Sequence, residues 1–182
     1  MIYITYAHVL IGISLGWILV RATLFAKNKT ITIKREMSLL LVYICFIVVA
    51  RFTLFPFSKV DGNIQPLIFD INKVFPFRIN IKPFIYLFDY PEKREAWLNL
   101  IGNTTMFIPL GVVWPSVFKK LDSHLKVIAA GFGVSLFIEI LQLPFNDRVS
   151  DIDDLILNTS GYVIGYGIYL LAKKILLLKR CK

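Results

Sequence analysis

Residues 125–178 read LKVIAAGFGVSLFIEILQLPFNDRVSDIDDLILNTSGYVIGYGIYLLAKKILLL. Two apolar runs, 125–143 and 155–178, flank a short connection over 144–154. Each run is long enough for a bilayer-spanning helix, which needs about 20 residues at ~1.5 Å rise. The stretch also carries polar groups that a lipid-facing helix has no use for: Ser135, Glu139 and Gln142 in the first run, Asp151 and Asp154 before the second, and Asn158 within it. An ionisable group at membrane depth costs several kcal/mol unless it is paired or wetted. The residues that set the fold class therefore also mark a site.

Three further runs of spanning length lie at 2–26, 37–55 and 98–118. They account for the composition, which is 57% hydrophobic and 18% charged, with a mean hydropathy of +0.67. Ordinary soluble domains are about 45–50% apolar and about 25% charged, and a soluble chain of 182 residues could not hide this much apolar surface. Disorder and an ordinary soluble enzyme are both excluded. The expected fold is an all-α membrane protein, a bundle of five transmembrane helices with a Pro/aromatic-rich interfacial loop between helices 2 and 3. Residues 1–36 form an N-terminal helix and basic loop, 37–172 the main transmembrane domain, and 173–182 a basic tail. Cys45 and Cys181 are too few for a disulfide framework and read as free thiols.

The net charge of +9 is unevenly spread. Bases concentrate at 27–36, in the connection after the third run (Lys119, Lys120, Lys126), and in the tail. The connection at 144–154 carries one base, Arg148, among four aspartates. The bias predicts a multi-pass protein of the cell membrane with its N-terminus outside and its C-terminus cytoplasmic. The basic excess is an orientation signal and an attraction to anionic lipids, with no nucleic acid implied. The segment from Phe57 to Trp97 contains Pro66, Pro76, Pro83 and Pro91, many aromatics, and apolar pieces (66–71, 83–90) too short to span. It is expected to form irregular backbone and short interfacial helices, a plug or lid over the outer end of the bundle.

Spacing gathers the polar residues. Ser135, Glu139 and Gln142 share one helix face with Gly131. Asp151, Asp154 and Asn158 share another, continued by Gly161 and Gly165 as a small-residue packing strip. Asn99 and Asn103 stand four apart on the third run, and Arg51 closes the second. Because successive helices alternate in direction, all these groups fall at the outer level, an arrangement that reads as a pocket. Glu139 needs either protonation or a basic partner there, and Arg51, Arg78 and Arg148 are the candidates. The plainer reading is that the asparagines glue helices together and that Asp151 or Asp154 caps a helix. His8 and His124 are isolated, Gly12 and Gly16 form an unspecific pair, and Trp17, Trp97 and Trp114 read as lipid-facing or interfacial. No phosphate-binding glycine loop, Cys/His metal spacing or Ser/His/Asp order is present.

An ordered series of elements runs through the chain. Arg51-Phe-Thr-Leu-Phe-Pro56 follows an early helix, and Asn80-Ile-Lys-Pro-Phe84 comes next. Asn103-Thr-Thr-Met-Phe-Ile-Pro-Leu-Gly111 and Ser135-Leu-Phe-Ile-Glu-Ile-Leu-Gln142 lie in helices. Arg148-Val-Ser-Asp151-Ile-Asp-Asp154 and Asn158-Thr-Ser-Gly161 complete it. Over about residues 38–170 the chain resembles the VanZ-like family of bacterial multi-pass membrane proteins. The resemblance adds Asn80 to the candidate ligand-binding residues, which are Arg51, Asn80, Asn99, Asn103, Glu139, Gln142, Arg148, Asp151, Asp154 and Asn158. The family is named for a protein that lowers susceptibility to teicoplanin, a glycopeptide antibiotic. The leading expectation is therefore an envelope protein, non-enzymatic or of activity not yet assigned, whose outer-facing polar pocket binds a lipid, a wall precursor or a glycopeptide. In that reading Arg51, Arg78 and Arg148 engage phosphate or carboxylate, the acids orient the arginines, and no cofactor is needed. The rival is a membrane-embedded enzyme acting on a lipid-linked phosphate or sugar, with Glu139 or Asp154 as general base, or with Glu139, Asp151 and Asp154 holding a divalent cation. A transporter or scaffold subunit is the third reading.

Overall fold

The computed structural model describes residues 1–28, 32–55, 60–84 and 93–180. Five helices are each long and apolar enough to cross a membrane. They are α1 (Tyr6–Asn28), α2 (Ile33–Leu54), α3 (Lys93–Val117), α4 (His124–Gln142) and α5 (Ile152–Arg180). The protein is an all-α, multi-pass membrane protein. Pro56, Phe57, residues 85–90 with Pro91, Lys29 and Cys181 lie outside the described residues.

Between α2 and α3 the structure corrects the expectation. The described part is largely irregular, as expected, but in place of short helices it carries one 3-10 turn at Ile71–Lys73 and two short strands. Strand β1 (Ile2–Ile4) pairs antiparallel with β2 (Leu67–Phe69), Ile4 opposite Leu67. Strand β3 (Ile79–Asn80) pairs parallel with β4 (Ser150–Asp151). The reason is local: prolines recur too often for a helix, and the Ile/Phe-rich pieces between them suit extended backbone. The first apolar run is also shorter as a helix than expected, because residues 2–4 are spent on β1. These pairings bring the N-terminus, the 60–84 segment and the 143–151 connection to one end of the bundle, the strand end. Lys27, Lys34, Arg35, Lys119, Lys120 and Lys126 sit at the opposite, basic end.

The tightest seam joins α3 to α5, where backbone meets backbone. A Cβ on Gly161 would overlap the Thr104 carbonyl, and one on Gly165 the Ile108 carbonyl. Gly111 answers from the other side, against the Tyr162 carbonyl. Small residues permit this approach, and in lipid it is dispersion and close packing that hold helices together. Gly12 and Gly16 on α1, with the same spacing, face open space. Around the seam the core gathers Val49, Phe55, Leu67, Phe107, Leu110, Val127 and Tyr162. Trp114 packs at its edge against Phe46 and Tyr162, so it is a packing residue rather than a lipid-facing aromatic.

Helix α1 is peripheral. It leans on α2 through the Tyr6–Phe55 edge contact, the 2.6 Å Ser14–Tyr43 hydroxyl bond and, towards the basic end, the Arg21–Glu36 ion pair.

Candidate functional site

The strand end is assembled first around the end of α2. A helix leaves its last carbonyls without intrahelical donors. Here two side chains from elsewhere supply them: Gln142 Nε2 donates to the Thr53 carbonyl at 2.7 Å, and Arg148 Nε donates to the Leu54 carbonyl at 3.0 Å. A cation at a helix C-terminus is also favoured by the helix dipole. Arg51, in the same turn, lies over the Phe52 ring at 5.2 Å and near the Tyr6 ring at 6.0 Å.

The start of α5 forms the second half. Asp151 precedes the helix, and its Oδ1 accepts the Asp153 N–H at 2.9 Å, a side-chain N-cap. The same carboxylate accepts the Asn80 amide at 3.1 Å on both oxygens. Asp153, buried, accepts the Phe84 N–H at 2.8 Å. Phe84 takes a φ of +62°, a region that bulky residues avoid, and that conformation coincides with its backbone N–H reaching Asp153. The first and last residues of Asn80-Ile-Lys-Pro-Phe84 thus hold two successive acids of one helix start.

Glu139 reaches this point from α4. Its Oε2 accepts the Asp151 N–H at 2.9 Å. Among the described residues its partner is thus a backbone donor and not one of the three candidate arginines. The arginines are directed to carbonyls, Arg78 to Asn146 at 2.6 Å and Arg148 to Leu54. The β4 segment at Ser150–Asp151, held by its pairing with β3, places the Asp151 N–H beside Glu139. On α3, Asn103 donates to Asn99 and to Asp154. One turn further into the bundle, Asn158 Nδ2 donates to Ser135 Oγ at 3.1 Å.

Hence the structure brings Gln142, Arg148, Glu139, Asp151, Asp154, Asn80, Asn99, Asn103 and Asn158 to one end, with Arg51 alongside. It joins them as short separate pairs rather than one ring. Three buried polar atoms of this group have no hydrogen-bond partner among the described residues: Glu139 Oε1, Arg148 Nη2 and Asn158 Oδ1. Burial pushes the Arg148 guanidinium below its ordinary pKa, opposed by the Asp154 and Asp147 carboxylates, while Arg51 nearby pushes the same way as burial. Among the described residues no group of three or more His, Cys, Asp or Glu side chains is arranged to hold a metal ion. The isolated histidines are occupied locally, His8 with Thr5 and His124 with the Tyr166 hydroxyl at 2.9 Å.

The VanZ/LLP1 family matches residues 40–173. The chain belongs to the VanZ/LLP1 family. It is 32% identical over 96 residues to Protein VanZ of Enterococcus faecium, covering 53% of this chain and 55% of that protein. It is 32% identical over 80 residues to an uncharacterized membrane protein, YwnJ, of Bacillus subtilis (strain 168), covering 44% of this chain and 54% of that one. The chain thus spans about half the length of the curated relatives it matches. No solved structure matches it.

The family elements quoted from the sequence have distinct structural positions. Arg51, Asn80, Asn103, Glu139, Gln142, Arg148 and Asp154 meet at the strand end, whereas Gly111 and Gly161 serve the α3–α5 seam. Four contributors were not found by sequence reasoning. Asp153 falls between the acids assigned to one helix face; its signal was the density of acids at a helix start. The Thr53 and Leu54 carbonyls and the Phe84 N–H are backbone groups, and no residue type announces them.

Proposed function

We propose that this VanZ-family protein binds a polar component of the cell envelope at the strand end of its bundle, with that end facing outside. The bound group is a lipid head, a wall precursor or a glycopeptide, and holding it lowers glycopeptide susceptibility. One observation carries the reading. Polar side chains from α2, α3, α4, α5, the 60–84 segment and the 143–151 connection gather at one end, and three of their buried atoms are left without partners among the described residues. Native structures leave few such atoms unsatisfied, and a bound acceptor and donor would complete them. Arg148 Nη2 supplies a donor for phosphate or carboxylate, while Glu139 Oε1 and Asn158 Oδ1 supply acceptors. The orientation is supported by the bases at the opposite end.

Mass spectrometry of molecules co-purifying with the protein tests this. Wild type should carry an envelope species bearing phosphate or carboxylate, and Arg148→Gln should lose it at equal protein yield. The same co-purified profile from both proteins would refute the site.

A further inference from the structure

A second feature lies beside this site, on the flank of the bundle. Between α1, α2 and α4 there is an apolar cleft of about 410 Å³, within the range of small-molecule sites, roughly 300–1,000 Å³. Ile13, Phe46, Val49, Gly133, Phe137 and Ile138 are among its walls. Its one hydroxyl, Thr53 Oγ1, is already committed to the Val49 carbonyl at 2.8 Å. At the strand end the cleft reaches Leu54, whose carbonyl holds Arg148. Arg148 in turn lines a second cavity, of about 340 Å³, with Tyr3, Gln65, Leu67 and Asp147. The two cavities are thus neighbours across the Leu54–Arg148 hydrogen bond, Leu54 walling the apolar one and Arg148 the other, and Arg148 Nη2 is buried without a partner among the described residues.

We propose that this pair of cavities takes one anionic lipid, its hydrocarbon chain in the α1–α2–α4 cleft and its phosphate against Arg148. The inference rests on the polar-site reading above and narrows it to a ligand with a chain. Charge complementarity selects an anionic head. The apolar lining selects hydrocarbon, which the surrounding bilayer supplies at far higher concentration than any protein partner.

The fold provides its own probe. Gly133 lines the cleft, and a Cβ there would meet nothing within 4 Å. Gly133→Leu therefore adds apolar bulk at the cleft wall from a Cβ that has open space around it, and leucine is a better helix former than glycine. Gly167→Leu, on α5 and also facing open space, is the control. The full chain is placed in phosphatidylcholine nanodiscs doped with phosphatidylglycerol carrying a photoactivatable acyl chain, and labelled peptides are mapped. Wild type should be labelled on α1, α2 and α4, at the Ile13, Phe46 and Phe137 peptides. Gly133→Leu should reduce that labelling about tenfold without lowering thermal stability, and Gly167→Leu should leave it intact. Arg148→Gln should remove the preference over a phosphatidylcholine probe.

Labelling spread evenly over all helices in the wild type would overturn the proposal, whatever the variants do. So would labelling that survives Gly133→Leu. If it survives that change but falls with Arg148→Gln, the chain site is wrong and the head-group site stands. If neither change matters, both are wrong.

Discussion

Replacing Gly161 with alanine places a methyl group where the Thr104 carbonyl oxygen already sits. The obstacle is backbone, not the end of a flexible side chain, so α3 and α5 must move apart along their closest seam. Overpacking costs typically about 1–3 kcal/mol, and a rigid neighbour puts this site near 3. Alanine returns about 1 kcal/mol through helix propensity, leaving a net loss of about 2 kcal/mol. For a chain of this size that is a fall in melting temperature of about 4–8 °C. Gly167, on the same helix, faces open space, and Gly167→Ala should shift the melting temperature upward by about 2–4 °C. Circular dichroism melts of the two variants and wild type in one detergent make the comparison. The opposite signs are the diagnostic feature, because any general effect of alanine in α5 moves both the same way. A Gly161→Ala protein as stable as wild type, or equal shifts at the two positions, would refute the backbone-contact account of the seam.

Gln142→Leu removes the donor to the buried end of α2 and leaves the Thr53 carbonyl unsatisfied; thermal unfolding should register a loss of about 1–3 kcal/mol. A double-mutant cycle on Asn103→Ala and Asp154→Ala should return a coupling of about 0.6–1.7 kcal/mol, whereas a cycle between Asn103 and Arg21, at opposite ends, should return none. Glu36→Gln breaks the Arg21 pair that ties α1 to α2, but both side chains are partly exposed, so the melting curve should move by less than about 1 kcal/mol. In a chain without native cysteines, a thiol placed at Asn146 should react with an impermeant reagent from outside and one at Lys120 should not; the reverse pattern would invert the assigned orientation.

Much of the site was legible before any coordinates because membrane helices make polar residues conspicuous. In hydrocarbon each amide or carboxyl needs a reason, and a spacing of three or four settles which of them share a face. That is how Glu139 with Gln142, and Asp154 with Asn158, were grouped. Partners were not legible in the same way. Glu139 was read as needing either protonation or a basic partner, and which group would meet it was not legible: its Oε2 takes the Asp151 N–H, a group every non-proline residue possesses. Asp153 was overlooked for the same reason: its partner is the backbone of Phe84. The strands of the 60–84 segment escaped because two- and three-residue pairings leave no periodicity long enough to read.

The sequence by itself determined that five stretches are long and apolar enough to span a membrane, where the acids, amides and bases fall along them, and which family's ordered elements they carry. These are properties of composition, length and spacing, and hydrocarbon enforces them one helix at a time. Only the tertiary structure decided which of two glycine pairs is a seam. Gly161 and Gly165 lie against the backbone of α3, while Gly12 and Gly16, at the same spacing, meet nothing. It alone decided that Gln142 and Arg148 finish α2, and that an apolar cleft ends beside Arg148. Such outcomes depend on the distance between backbones from different parts of the chain. That distance is set by packing the whole bundle at once, so no single segment encodes it.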